Sequence, residues 1–314
     1  MKLTTPISVQ SPDLPLTYGS QFFNIGSCFA NHLANKLKHF GFHTQQNPVG
    51  ILFHPFAIQQ FCKWLDDEPI DEHLFVEDNG IWKSLQAHSQ VYAETQLELK
   101  TNLKQQIEAS RNYLAKTDSI FITYGTAFAY QHLSTQKYVA NCQKQKAALF
   151  QKELIKVEAL VEAIQKSIDT FLNFTKAKVY ISVSPVRHAK DGFVENNRSK
   201  AHLLTAVHEV ISKNKQVSYF PAYEIVLDEL RDYRFYDRDL LHPDPLAVDY
   251  VWEKFSHAFF DEATLQSMKK VNQFRKFSSH RPMQQSPDAE VSHQAKLGPM
   301  RQELLTLEPR LQLD

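Results

Sequence analysis

Short apolar runs alternate along this chain with longer segments whose apolar residues recur every three or four positions. The short runs predict buried strands over residues 21–26 (QFFNIG) and 118–125 (DSIFITYG), within 177–188 (AKVYISVSPVRH), and from residue 216. The longer segments predict helices after residue 28 and over residues 56–65, 100–117, 150–174, 199–214 and 243–261. Because strands and helices alternate, we expect an α/β fold with a mostly parallel central sheet and helices on both faces.

The pattern changes near residue 269, where polar residues begin to dominate. We therefore predict one α/β domain over residues 1–268 and a polar C-terminal tail over residues 269–314. The tail has little that would build a core, so we expect it to be partly disordered, with a helical stretch near RQELLTLEP. Residues 66–95 have no clear pattern apart from a strand expected within GIWKSLQAHSQVYA.

Charge and composition exclude several classes of partner. Lys plus Arg and Asp plus Glu both number 35 among the 314 residues, so we expect no nucleic-acid or membrane-surface partner. No apolar run approaches the roughly 20 residues of a membrane span, and the first residues lack the apolar core of a secretory signal. The three cysteines have no CxxC spacing, which indicates free thiols and a cytoplasmic location. The sequence lacks Gly-rich phosphate loops and the usual metal-binding spacings, so we expect neither cofactor nor metal.

The first candidate for chemistry is Ser27, which lies between a predicted strand and a predicted helix. Serine is a preferred N-cap, so Ser27 is on this evidence a capping residue. Residue 30 is Ala, however, and therefore no capping box supports that role. A serine at a helix start is also well placed as a nucleophile, because the helix N-terminus stabilises developing negative charge.

The second candidate is the segment YDRDLLHPDP at residues 236–245, just ahead of the last predicted core helix. Asp239 and His242 are three residues apart, so one short turn can present both side chains to the same point. A histidine oriented by a carboxylate is the general base that a serine nucleophile requires. Asp237 and Asp244 are also close in sequence, and an ordinary charged surface loop is the alternative interpretation.

Several segments in this order resemble the GSCFA family, which is related to the SGNH (GDSL-like) hydrolases. They are GSCFA at 26–30, NPVGILFHP at 47–55, YGTAFAY at 124–130, VANCQK at 139–144, SVSPVRH at 182–188, ENNRSKAHL at 195–203 and DLLHPDPLAVDYVWEKF at 239–255. The resemblance implies a three-layer α/β/α sandwich, SGNH-hydrolase-like and flavodoxin-like. It also implies that Ser27 is the nucleophile, His242 the general base and Asp239 the residue that orients it.

The oxyanion hole departs from the SGNH pattern. The resemblance implies an asparagine in a GxN turn, but here Gly125 is followed by Thr126 and Ala127. Asn141 is a candidate side-chain donor, and Gly50 is a candidate backbone donor beside the N–H of Ser27. In the GSCFA pattern the pair NC is followed by His, whereas this chain has Gln143.

Other residues are weaker candidates. Cys28 is a rival nucleophile, although adjacent helical residues point about 100° apart, so Ser27 and Cys28 do not both face the rim of the sheet. Candidates for lining a substrate pocket are His54, His88, Arg187 and His188. For the first two, a hydrogen-bonded structural histidine is the alternative, and for the last two a solvated loop.

Together these features predict a cofactor-free serine hydrolase of the SGNH type that acts on a small-molecule or carbohydrate ester. Two alternative functions remain open. The first is an acyltransferase that moves the acyl group to a carbohydrate or other hydroxyl acceptor. The second is a ligand-binding domain that has lost catalysis. The sequence fixes neither the substrate nor the oligomeric state.

Overall fold

The computed structural model describes residues 4–279 and 287–313, with only the backbone for residues 287–294. Its strands are β1 (Gln21–Gly26), β2 (His43–Gln46), β3 (Phe75–Asp78), β4 (Ile81–Ser84), β5 (Tyr92–Ala93), β6 (Ser119–Tyr124), β7 (Phe128–His132), β8 (Lys137–Val139), β9 (Phe150–Leu154), β10 (Lys178–Val183) and β11 (Val217–Tyr219). Its α-helices are α1 (Cys28–His39), α2 (Pro55–Leu65), α3 (Gln96–Leu114), α4 (Val157–Phe174), α5 (Gly192–Lys213), α6 (Ala222–Glu224), α7 (Pro245–Phe259), α8 (Glu262–Ser279) and α9 (Pro287–Leu307). A π-helical turn, Ile225–Leu230, continues α6.

The central sheet has the strand order β2-β1-β6-β10-β11, and every neighbouring pair is parallel. Counted along the chain within this sheet, the order is 2-1-3-4-5, which is that of flavodoxin-like doubly wound folds. The prediction of an α/β fold with a mostly parallel sheet is confirmed. The order reverses between β1 and β6, and ligands of such folds bind at this switch point, outside the carboxyl ends of the strands.

Helices cover both faces of the sheet because successive strand residues point to opposite sides. In β1, Phe23 and Ile25 pack with α2, α3, α4 and α5, whereas Phe22 packs with α1, α7, α8 and α9. β6 and β10 repeat the alternation, with Phe121 and Tyr180 on the side of Phe22. Two hydrophobic cores therefore form, one on each face.

The helix α1 begins where the sequence predicts a helix, and a glycine lies just beyond its end. Its C-terminus closes with Gly41 in the left-handed conformation (φ +82°) and with hydrogen bonds from Gly41 N to Lys38 O and from Phe42 N to Leu37 O, both 3.0 Å. This is the Schellman arrangement that a C′ glycine favours. Within the described residues, each helix is too short or too polar to cross a bilayer.

Two small antiparallel sheets, β3-β4-β5 and β8-β7-β9, extend from the core. The strand expected within GIWKSLQAHSQVYA is β4. The helix predicted over 150–174 is wrong at its start, because residues 150–154 form β9 and the helix α4 begins at Val157. β9 pairs along the whole of β7, and this pairing decides the conformation of residues 150–154. The local sequence of this segment does not reveal the partner strand.

Parts of the segment 269–314, which was predicted to be a polar tail, pack into the core. The helix α8 runs across the predicted boundary, and its Val271 and Phe274 are buried together with Leu304 and Leu311. These apolar residues are sparse and far apart in sequence, so their burial depends on tertiary contacts that composition does not reveal. The expected helix near RQELLTLEP is the end of α9. Residues 280–286, which were expected to be disordered, lie outside the described residues.

Candidate functional site

The carboxyl ends of β1, β6 and β10 lead into Ser27, Gly125 and Ser184, which places these residues on one edge of the sheet at the switch point. Gly26 allows the tight turn there. Its φ is +141°, and a Cβ at this position would lie 2.2 Å from the carbonyl oxygen of Thr123. The N–H of Ser27 donates to the same oxygen at 2.8 Å, so the turn is fixed directly to β6.

Ser27 occupies the N-cap position of α1, but its side chain makes no capping hydrogen bond. The residue is only 3% exposed, and its Oγ has no hydrogen-bond partner among the residues that the structure describes. A buried hydroxyl without a partner costs about 1–3 kcal/mol. Ser27 is therefore not explained by side-chain capping of α1, and its hydroxyl is buried without a partner among the described residues.

Asp239 and His242 form a tightly bonded pair in the loop before α7. The Nδ1 of His242 lies 2.6 Å from Oδ2 of Asp239, while Oδ1 accepts the N–H groups of Leu241 and His242 at 2.9 and 3.0 Å. These N–H groups, followed by the imidazole, lower the pKa of Asp239 to about 2. The carboxylate is thus ionised and holds the proton of the imidazole on Nδ1, which leaves Nε2 as the acceptor.

The structure also decides between the neighbouring carboxylates. Asp244 is the N-cap of α7, where its Oδ1 accepts the N–H of Ala247 at 2.8 Å. Among the described hydrogen bonds, the carboxylate partner of His242 is Asp239. The spacing of three residues found in the sequence is therefore the one that the fold uses.

The loop that carries His242 lies at the same edge of the sheet as Ser27. The N–H of Arg187, in the loop after β10, donates to the carbonyl of Leu241 at 3.1 Å. No hydrogen bond joins Ser27 to His242, whose side chain is 46% exposed.

The backbone donors expected for the oxyanion hole are already engaged. The N–H of Gly50 donates to Asn47 O at 2.8 Å in a tight turn, and the N–H of Ser27 donates to Thr123 O. Asn141 accepts the N–H of Gln143 through Oδ1 at 2.8 Å, which orients its side-chain amide. In the first turn of α1 the N–H of Ala30 donates to Ser27 O at 2.9 Å, while those of Cys28 and Phe29 have no backbone acceptor among the described residues.

Cys28 lies beside those helix-start donors. The N–H groups of Phe29 and of Cys28 itself lower the pKa of the Cys28 thiol, but burial is the larger effect and raises it. The thiol is therefore kept in its protonated form, which disfavours Cys28 as a nucleophile.

His54 has a structural role. Its Nδ1 accepts the N–H of Ala57 at 3.2 Å and so caps α2, and its Nε2 donates to the carbonyl of Val139 at 3.0 Å. Burial lowers its pKa to about 4, which keeps the ring neutral. Because both ring nitrogens are used, His54 is not free to contact a substrate, and its role as a pocket residue is not supported.

His88 and Gln143 also hold loops. His88 packs against Gly50, where a Cβ would lie 2.3 Å from the Cβ of His88, and its N–H donates to Val49 O at 3.1 Å. The side-chain amide of Gln143 donates to the carbonyls of Ser84 and Ala87 at 2.8 and 2.9 Å. Glutamine at this position therefore fixes the loop after β4.

Arg187 lines a cavity of about 240 Å³ beside the His242 loop. Its guanidinium lies 5.2 Å from the ring centroid of Phe193 and donates to Asn197 Oδ1 at 3.2 Å, while its Nε is buried without a partner among the described residues. Leu240, next to Asp239 in sequence, lines the same cavity. Arg187 is thus placed as a pocket residue next to the Asp239–His242 pair.

Lys200 is the residue that sequence reasoning missed. It lies on α5, is 1% exposed, and its Nζ donates to the carbonyls of Gly125 and Ser184, both at 2.6 Å. Burial lowers its pKa to about 7. The sequence did contain a signal, because Lys200 falls in the helical stripe of Asn196, Leu203 and Val207 that faces the core.

His188 lies close to Lys200. Burial, and then the charge of Lys200, lower the pKa of His188 to about 4. Its Nε2 is buried and has no partner among the described residues, while its backbone N–H donates to Asn196 Oδ1 at 2.8 Å. A neutral imidazole is therefore held near the Gly125 carbonyl.

The fold and its rim define a doubly wound α/β protein with an unbonded serine at the switch point and an Asp–His pair at the same edge. The GSCFA family profile matches residues 21–255 of this 314-residue chain. The chain therefore belongs to the GSCFA family. The matched segment starts at β1 and ends in α7, so it contains Ser27, Asp239 and His242. No curated protein matches the chain.

Proposed function

We propose that this protein is an acyl-ester hydrolase of the SGNH type that uses Ser27 as nucleophile, His242 as general base and Asp239 as the orienting acid. The observation that carries the proposal is the Asp239–His242 pair, whose carboxylate is held by two backbone N–H groups at the sheet edge that also holds Ser27. The buried Ser27 hydroxyl, without a partner among the described residues, adds to it.

The proposed reaction has two steps. Nε2 of His242 takes the proton of Ser27 as Oγ attacks the ester carbonyl, and the protonated imidazole then gives this proton to the leaving alkoxide. In the second step the same imidazole deprotonates a water molecule, whose oxygen attacks the acyl carbon. The bond from Oγ of Ser27 to the acyl group then breaks, the imidazole returns the proton to Oγ, and the acid is released. The first N–H groups of α1 are the proposed oxyanion donors, with the amide of Asn141 as a further candidate.

The mechanism requires His242 and Ser27 to approach when substrate binds. Catalytic hydrogen bonds are often long before substrate binds and tighten only in the complex. The exposed ring of His242 has room to move, whereas Ser27 is fixed by its turn.

A competing proposal is a ligand-binding domain without catalysis. One observation favours it, since the N–H groups of Gly50 and Ser27 are engaged in internal hydrogen bonds. Transfer of the acyl group to a carbohydrate hydroxyl uses the same residues as hydrolysis. Product analysis with and without an added sugar would separate transfer from hydrolysis.

Labelling with a fluorophosphonate tests the proposal directly. We expect wild type to be labelled and to cleave short p-nitrophenyl esters, Ser27→Ala to be inert, and His242→Ala to be slower by about 10²–10⁴-fold. Cys28→Ala is the matched control and should behave as wild type. Absence of both labelling and ester cleavage in folded wild type would favour the binding domain, and equal labelling of Ser27→Ala would reject Ser27.

A further inference from the structure

The side-chain amine of Lys200 is buried where β6 and β10 end, and it has no counter-ion among the described residues. Among the described residues, the charged or titratable groups that affect it are Cys28 and Arg187, and no carboxylate is included. Its hydrogen-bond partners are two neutral carbonyls, Gly125 O and Ser184 O. Burying a charged amine in this way is costly, and proteins normally pair it with an anion.

Gly125 places this amine next to the proposed nucleophile. A Cβ built on Gly125 would lie 3.3 Å from the Cβ of Ser27, and the carbonyl of Gly125 is the one that accepts from Lys200 at 2.6 Å. Gly125 therefore lies beside Ser27, and its carbonyl is bonded to Lys200. One residue, Gly125, separates the buried amine of Lys200 from Ser27.

Each neighbour of Lys200 leaves it without compensating negative charge. From α1, the thiol of Cys28 is kept protonated by burial, which raises its pKa. From the loop after β10, Arg187 is a cation that lowers the pKa of Lys200, and His188 is a neutral ring. From α6, the ring of Tyr223 has its centroid 6.0 Å from Nζ. An anion formed at Ser27 would supply the missing charge.

We propose that Lys200 is a positioning residue of the Ser27 site, whose positive charge stabilises the anion that forms when Ser27 attacks its substrate. The inference rests on the proposed function and extends it. It supplies electrostatic stabilisation at a site where the asparagine of a GxN turn is replaced by Ala127. Lys200 acts through the Gly125 peptide and need not touch the substrate.

The pH dependence of kcat/KM separates this role of Lys200 from two others, in which Lys200 is a neutral general base or only holds the strand ends together. Activity requires charged Lys200, so kcat/KM should fall as pH rises above about 7. The wild-type profile with a p-nitrophenyl ester should therefore have a falling limb in this range. A neutral Lys200 acting as the base would instead raise activity through the same range, and that result would overturn the proposal.

Lys200→Gln tests the charge while retaining hydrogen-bond donors for the two carbonyls. We expect its kcat/KM at the optimum to fall about 10- to 100-fold, with little change in KM, and the alkaline limb to disappear. Affinity for methylboronic acid, which forms an anionic adduct on serine, should fall by a similar factor. Lys213→Met, an exposed lysine on the same helix, is the matched control.

A folded Lys200→Gln protein with the wild-type pH profile and boronate affinity would show that Lys200 only holds the two strand ends together. If this variant does not fold, the wild-type profile alone decides, because a falling limb supports the proposal and its absence rejects it. Failure of the wild-type protein itself to hydrolyse esters or to bind boronate would reject the proposed function. This result differs from the two outcomes that test the role of Lys200.

Discussion

Lys200 and Gly125 are joined by a 2.6 Å hydrogen bond from the buried ammonium nitrogen to the carbonyl oxygen that follows β6. The same nitrogen bonds the carbonyl that follows β10, so one side chain ties two neighbouring strand ends together at the switch point. Folding is therefore sensitive to the charge of one buried lysine.

This relationship predicts how stability depends on pH. Burial lowers the pKa of Lys200 from 10.5 to about 7, so between these values the unfolded chain binds more protons than the folded one. The contribution of Lys200 to the free energy of unfolding should therefore rise as pH increases from about 7 to 10.5, and be flat below about 7. Urea unfolding at several pH values should show this slope in wild type and in Lys213→Met, but not in Lys200→Gln. Parallel slopes in all three proteins would contradict the assignment.

Asp239→Asn should separate catalysis from folding. The amide cannot hold the Nδ1 proton of His242 in the same way, so the tautomer with Nε2 as acceptor is lost. We expect esterase activity to fall about 10²–10⁴-fold with an unchanged melting temperature, because the loop is exposed. Asp237→Asn, in the same loop, should retain activity. Equal losses in the two variants would argue against a specific role for Asp239.

Gly26→Ala should disrupt the turn that presents Ser27. The new Cβ would lie 2.2 Å from a backbone oxygen of β6 in a conformation with φ +141°, and neither group can move without breaking the central sheet. A loss of at least about 1–3 kcal/mol in unfolding free energy is expected from the backbone strain alone. Gly80→Ala provides the comparison, since Gly80 has φ +77° but no atom within 4 Å of its Cβ. Urea denaturation should find Gly26→Ala clearly the more destabilised, and similar losses would refute the contact argument.

We predict that burial of His54 makes the folded protein less stable in mild acid. Its pKa falls from 6.5 to about 4 on folding, so the folded state binds fewer protons in this range and stability decreases as pH falls from 6.5 to about 4. His54→Asn keeps a capping acceptor for α2 but cannot ionise, so thermal unfolding should show a shallower decline. His257→Asn, at an exposed position, serves as control and should follow wild type. An unchanged slope in His54→Asn would mean that other groups cause the acid sensitivity.

The sequence predicted the parts of the site that depend on local structure. Gly26 before Ser27 indicates a strand-to-helix turn, and Asp239 with His242 forms its hydrogen bonds within a single loop. Lys200 was missed because its environment is created by β6 and β10, which are distant in sequence. The engagement of Gly50 could not be predicted either, since the direction of its N–H depends on the turn that begins at Asn47.

The same distinction applies to the fold. Four strands of the central sheet were recognisable because they are rich in apolar and β-branched residues, whereas the polar strand β2 was not predicted. The parallel order follows from the alternation of strands with helices. β9 was predicted as the start of a helix because its conformation is decided by pairing with β7 rather than by its own pattern. Such pairing between strands is seen only in the three-dimensional structure.

The burial of Leu304, Leu311 and Leu313 has a consequence for synthesis and for truncation. A ribosome must translate beyond Leu313 before these leucines reach the apolar surface formed by α1, α7 and α8, so that surface stays open while the opposite core can already close. The segment 21–255 expressed by itself lacks α8 and α9, so it would leave the apolar residues of α1 and of the remaining part of α7 exposed to water. We expect such a fragment to aggregate or to recruit chaperones, although it contains the whole of the candidate triad.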